Sequence, residues 1–167
     1  MKLNYLLIII FIITLSSCGS SNRKLNNDTD QWRYEIEPVN VGTQGTYLVK
    51  AWTYAKKPEK AIKQAKKNAV HCIIFRGFSS KNRVSGQKPL ADSNSEIEHK
   101  AFFKEFFKEG GRYLKFATTS NDGSIAPGDF RKVGKEYKVG VIVSVSVSQL
   151  RKDLEDANII KKLSAGF

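Results

Sequence analysis

The chain predicts an α+β fold, with a single four-stranded antiparallel or mixed sheet and about three helices largely on one face. Three observations carry that expectation. Lys135 to Val147 (KEYKVGVIVSVSV) alternates Val141, Val143, Val145 and Val147 with Ile142, Ser144, Ser146 and Ser148, the period of a strand with one buried face. From Pro58 onward Ala61, Ile62, Ala65, Ala69, Cys72 and Ile73 recur at three- and four-residue spacing, the period of a helix. The segment order β-β-α-α-β-β-α places strands at both ends of a helical middle, which suits helices gathered on one side of a sheet.

The first strand begins near Gln31, where Trp32, Tyr34 and Ile36 alternate with Arg33, Glu35 and Glu37, and Pro38 is expected to end it. Thr46 to Tyr54 is β-branched and aromatic and reads as a second strand after a Gly42–Gly45 turn. Lys57-Pro58 marks the first helix start. Its alanines at 61, 65 and 69 let the helix lie close to a sheet, and Gly77 is expected to stop it in the left-handed conformation. The run VHCIIF (70–75) fits either the end of that helix or a buried strand. Residues 79–94 (SSKNRVSGQKPLADSN) lack periodicity and are expected to form a long exposed loop. Ser95-Glu96-Ile97-Glu98 matches a capping box at the start of a second helix. That helix carries Phe102, Phe103, Phe106 and Phe107, most of them core, before Gly110-Gly111. Arg112 to Thr119 reads as a third strand, residues 120–129 as a turn-rich loop, and Lys135 to Val147 as the fourth strand with its valines facing the helices. Ser148 is the expected cap of a last helix in which Leu150, Leu154 and Ala157 share a face.

Ahead of this domain, Met1-Lys2, the apolar run Leu6–Ile13 and the small-residue exit describe a secretory signal peptide over residues 1–17, too short for a stable span. Its close, Leu15-Ser16-Ser17-Cys18, resembles the lipobox of bacterial lipoproteins. The resemblance implies cleavage before Cys18, a diacylglycerol thioether on its sulfur and an acyl group such as palmitate on the new amino terminus. Residues 18–30 are polar and small and read as the lipidated flexible tether, leaving 31–167 as one domain. Gly19 is not the Asp associated with inner-membrane retention, so the resemblance points to the outer membrane with the domain facing the periplasm. AIKQAKKNA (Ala61–Ala69) and YKVGVIVSVSVSQL (Tyr137–Leu150) are similar to small envelope lipoproteins and flagellar-assembly accessory domains. That likeness implies an accessory module without catalysis and assigns no further functional residue.

Composition narrows the class. The 167 residues carry 28 Lys and Arg against 16 Asp and Glu, a formal net charge of +12. In an exported lipoprotein that balance favours lipid head groups, acidic glycan or acidic protein surfaces as partners rather than nucleic acid. Past Cys18 the one remaining cysteine is Cys72, which excludes a disulfide scaffold. With His71 and His99 the only histidines, no sequence-local metal motif, nucleophile elbow or phosphate loop is present. His71 and Cys72 are adjacent, so their side chains diverge and do not suit a nucleophile–base dyad. The sequence thus names no catalytic residue, cofactor or metal.

Two surface constellations remain. Lys56, Lys60, Lys63 and Lys67 fall on one helical stripe suited to an anionic surface, and Lys81, Arg83 and Lys88 lie in the 79–94 segment as a candidate partner loop. The leading expectation is a noncatalytic, membrane-anchored accessory or scaffold module binding another envelope component, most simply an envelope protein. The alternative is a lipoprotein binding an acidic glycan or peptide through basic residues and exposed aromatics such as Trp52. The third is a small hydrolase assembled from distant residues, for which a buried His–carboxylate pair opening into a cleft would be the signature.

Overall fold

The computed structural model describes residues 32–43 and 45–163. The signal peptide, Cys18, the tether and the SAGF end lie outside the described residues. The elements are β1 (Tyr34–Val41), β2 (Thr46–Ala55), α1 (Pro58–His71), α2 (Ser95–Glu98), α3 (Lys100–Phe106), β3 (Ala117–Thr119), β4 (Phe130–Val133), β5 (Glu136–Ser146) and α4 (Val147–Asp156). All strand pairs are antiparallel, in the order β1-β2-β5-β3, with β4 paired to the opening residues of β5. The α+β architecture with an antiparallel sheet is as expected.

Register sorts the side chains. Val49, Ala51 and Thr53 of β2 pair with Val143, Val141 and Val139 of β5, and all six are buried. On β1, Tyr34, Ile36 and Pro38 share that face through Thr53, Ala51 and Val49. Against it lies α1, whose Ala61, Ala65 and Ala69 are fully buried. The helix comes so close that Thr53 Oγ1 donates to the Ala61 carbonyl at 3.1 Å, which no larger side chain would permit. Ala65→Leu is therefore expected to lower stability by about 1–3 kcal/mol through overpacking. An unchanged denaturation midpoint would show that the helix is free to move off the sheet. Phe103, Phe106, Phe107, Tyr113 and Phe116 extend the core, joined by Leu150 and Leu154 of α4.

Several expectations need correction. Pro38 does not end β1. It sits within this edge strand beside a bulge between Pro38 and Asn40, where a missing N–H is tolerated. Residues 70–75 are neither strand nor regular helix end: α1 runs on into a π-helical turn, Cys72–Arg76. Gly77 does need a positive φ, but at φ 64°, ψ −168° rather than in the left-handed helical region. The 79–94 segment holds no helix or strand and is mostly exposed, as expected, but it is tied down. Phe78 pairs with Gln87 and Lys81 with Val84 around Asn82 and Arg83, both at positive φ, the pattern of a type I′ turn. Beyond it Leu90 and Ala91 are buried, their amides bonded to the Ile73 and Ile74 carbonyls at 3.1 and 2.9 Å.

The capping box does not form. Ser95 Oγ and the Ser95 and Asn94 amides turn instead to Asp92 Oδ1, whose carboxylate is the stronger acceptor. Arg112–Lys115 is a 3₁₀ turn, so only Ala117–Thr119 of the expected third strand is extended. The four residues of β4 add a fifth strand, closed onto β5 by Gly134-Lys135 with Gly134 at φ 60°. The last helix begins at Val147, with Ser146 rather than Ser148 at the N-cap position and without a side-chain cap, because β5 stays paired through Ser146.

Candidate functional site

The sheet face opposite α1 carries the most organised surface chemistry. Register brings Trp52 between Glu35 on β1 and Gly140 on β5. The six-membered ring of Trp52 lies over Gly140, where an added Cβ would fall 3.0–3.1 Å from three ring carbons. Glycine at that point gives the indole a seat on the sheet. Lys138 Nζ sits 5.2 Å from the Trp52 ring and 5.5 Å from the Tyr54 ring, and donates to both Glu35 oxygens at 2.8 Å. Tyr54 OH donates to the same carboxylate at 3.1 Å. On the other side Lys50 Nζ lies 5.6 Å from the Trp52 ring and 2.8 Å from Asp129. The Arg33 guanidinium stacks 4.0 Å over Tyr54 and bonds Glu136 at 3.0 Å.

Two amphipathic rings are thus held in a frame of alternating charge. The hydrogen bond from Lys138 holds the Glu35 carboxyl below the usual carboxylate range, and Glu35 in turn raises the Lys138 ammonium. Trp52, Tyr54, Leu48 and Ile142 are half-buried, so this face offers apolar contact flanked by fixed donors and acceptors. Gly140→Ala should push the indole off its seat, red-shifting Trp52 emission in a Trp32→Phe background. An unmoved emission maximum would mean that the ring is not held there.

The second constellation is buried. His71 Nδ1 lies 2.6 Å from Tyr34 OH, and His71 Nε2 lies 3.4 Å from Glu96 Oε1. Burial first, then the Arg76 and Lys67 charges, push the imidazole down to about 3, and these outweigh the half-buried Glu96. Burial also pushes the Tyr34 phenol far up. The direction of the Tyr34–His71 bond follows the ring tautomer; the Glu96 carboxylate beside Nε2 favours the imidazole proton there, which leaves Nδ1 to accept from the phenol. A His–carboxylate pair is therefore present, but His71 is 2% exposed and walled by Tyr34, Phe75 and Phe107 at centroid distances of 5.7, 5.0 and 5.9 Å. Cys72 turns away and donates to the Gly77 carbonyl at 3.0 Å, its thiol pushed up by burial to about 12. The structure separates the two neighbours as their adjacency demanded.

The lysine stripe is not one exposed surface. Lys56, Lys60 and Lys63 are exposed, Lys63 lying 3.8 Å from Glu109, but Lys67 is buried at 8% exposure. The face of α1 rotates into the core toward its end, which the spacing of the lysines alone does not reveal. Lys81, Arg83 and Lys88 are all exposed. The first two frame a shallow recess of about 330 Å³ at the hairpin tip, with Lys81 3.7 Å from Glu37. Among the described residues no group of His, Cys, Asp or Glu is placed to hold a metal ion, and no helix is long and apolar enough to cross a membrane.

No family model, curated protein or solved structure matches this chain. The site stands on its own geometry. Sequence reasoning flagged Trp52 but missed its seat. The available signal was Gly140, a lone glycine inside an otherwise β-branched strand.

Proposed function

We propose that the protein is a lipid-anchored lipoprotein of the bacterial envelope whose domain is a noncatalytic binding module for another envelope protein. The anchor is Cys18, on the residues Leu15-Ser16-Ser17-Cys18, and the expected location is the outer membrane with the domain in the periplasm. The observation that carries the binding role is the Trp52–Gly140 seat within its frame of charges. A half-exposed indole fixed between paired charges has the composition of an interface centre. Arg33, Lys50 and Lys138 each already face a carboxylate. A protein surface carrying both signs suits that pattern better than an acidic glycan, which would have to displace Glu35 and Asp129.

A photocrosslinking residue in place of Ile142 tests this in intact cells. A discrete protein adduct that disappears with Trp52→Ala is expected. A polysaccharide adduct would replace the protein partner with the glycan, and an adduct indifferent to Trp52→Ala would remove this face from the interface. For the anchor, Cys18→Ala should release the protein from the membrane fraction or block its processing. Unchanged membrane association with an unchanged lipid label would defeat the lipoprotein reading.

A further inference from the structure

The hairpin of β4 and β5 projects beyond the edge of the Trp52 face. All four residues of β4 are exposed, and Phe130 and Val133 are each 41% exposed. Phe130 is braced by stacking on Tyr137 at 5.1 Å. The hairpin closes through Gly134 at φ 60° followed by Lys135, the pattern of a type II′ turn. From Phe130 to Lys135 the chain reads FRKVGK, with three cations and no acid. Among the described residues Arg131, Lys132 and Lys135 lie outside ion-pair distance of any carboxylate, whereas Arg33, Lys50 and Lys138 are each paired. Charge on an edge strand commonly guards against strand pairing. That role does not account for two exposed apolar side chains interleaved with charges of one sign.

The position of the hairpin supplies the occupant. Arg33, where the domain begins, bonds Glu136, and Glu136 is the register partner of Val133 at the hairpin tip. The segment leading back to Cys18 therefore joins the domain beside this tip. Fourteen residues, Gly19 to Trp32, reach at most about 50 Å, so an acylated Cys18 keeps the tip within reach of the bilayer. We infer that the β4–β5 hairpin is a membrane contact, with Arg131, Lys132 and Lys135 meeting anionic phospholipid head groups while Val133 and Phe130 enter the interface. The inference rests on the lipoprotein reading for its geometry. By register Arg131 and Val133 sit beside Lys138 and Glu136, so this contact adjoins the Trp52 face at its edge, and the Ile142 crosslink and the Val133 dye report on the two separately.

The test uses the full acylated protein in vesicles, with a polarity-sensitive dye on Val133→Cys. Cys72 is buried and Cys18 acylated, so the new thiol is the one labelled. A blue shift is expected in phosphatidylcholine vesicles containing phosphatidylglycerol and not in phosphatidylcholine alone, and no shift from the same dye on Lys152→Cys. At about fivefold per cation, Arg131→Gln, Lys132→Gln and Lys135→Gln together should lower the docked-to-free ratio about a hundredfold. No shift at Val133→Cys, an equal shift on neutral vesicles, or a shift retained in the triple variant would overturn the inference. The mass of the Cys18 adduct is read separately. If the acyl groups are absent the anchor fails, and adding the same vesicles to the unacylated chain carrying Cys18→Ser, which leaves the Val133→Cys thiol as the one labelled, still decides the hairpin.

Discussion

Gly77→Ala is expected to destabilise the domain by about 4 kcal/mol or more, and to do so without touching any functional surface. Gly77 occupies φ 64°, ψ −168°, a region open almost only to glycine and costing about 1–3 kcal/mol for another residue. Sterics add to that. A Cβ would penetrate the Gln87 carbonyl oxygen and stand 2.9 Å from the Pro89 nitrogen. The Gln87 oxygen has no room to retreat, because it accepts the Phe78 amide at 2.9 Å. Moving that strand would draw Leu90 and Ala91 off the Ile73 and Ile74 carbonyls, exposing a buried stretch of backbone. Urea denaturation and a thermal melt of the folded variant measure the loss. A melting temperature within a few degrees of the parent would show that the 86–91 segment adapts, and that the turn does not depend on glycine.

Gly77 also marks where the sequence stopped being legible. The Val/Ser alternation of β5 and the Ala61, Ala65 and Ala69 ladder are local periodicities, and each reports the face its own backbone buries. They are enough to predict an antiparallel or mixed sheet under close-packed helices, and the structure makes it antiparallel. The π-helical turn after α1 is different, since its carbonyls are satisfied by Leu90 and Ala91 from beyond a type I′ hairpin. Nothing in the local pattern of SSKNRVSGQKPLADSN shows that isolated apolar residues within it return to the core. β4 was invisible because FRKV is exposed throughout and carries no hydrophobic period. Trp52 could be named but not placed, since its seat depends on register between β2 and β5. The Tyr34, His71 and Glu96 cluster draws on β1, α1 and α2, and only the fold brings them together.

That cluster yields the last expectation: lowering the pH from 6.5 to 5 should cost about 2 kcal/mol through His71 alone. In the unfolded chain the imidazole takes a proton near its ordinary value of 6.5; in the fold it resists protonation until about 3. Below pH 6.5 the unfolded state therefore binds a proton that the folded state refuses, and stability falls by about 1.4 kcal/mol per pH unit. The decline should continue toward pH 3 and then level. Burial sets this sign, and the charges facing the ring reinforce it. Arg76 and Lys67 oppose a third positive charge, while Glu96 at 3.4 Å acts the other way. Glu35 and Glu105, both held below the ordinary carboxylate range, lose their contribution only at lower pH, which leaves the window from 6.5 to 5 to the histidine. His71→Gln can still accept from Tyr34 and has no proton to gain, so its stability should be flat across that window. A wild-type profile as flat as the variant would mean that Glu96 closes on Nε2 and the pair ionises inside the fold. A titrating His71–Glu96 pair would bring back the hydrolase that its burial argues against.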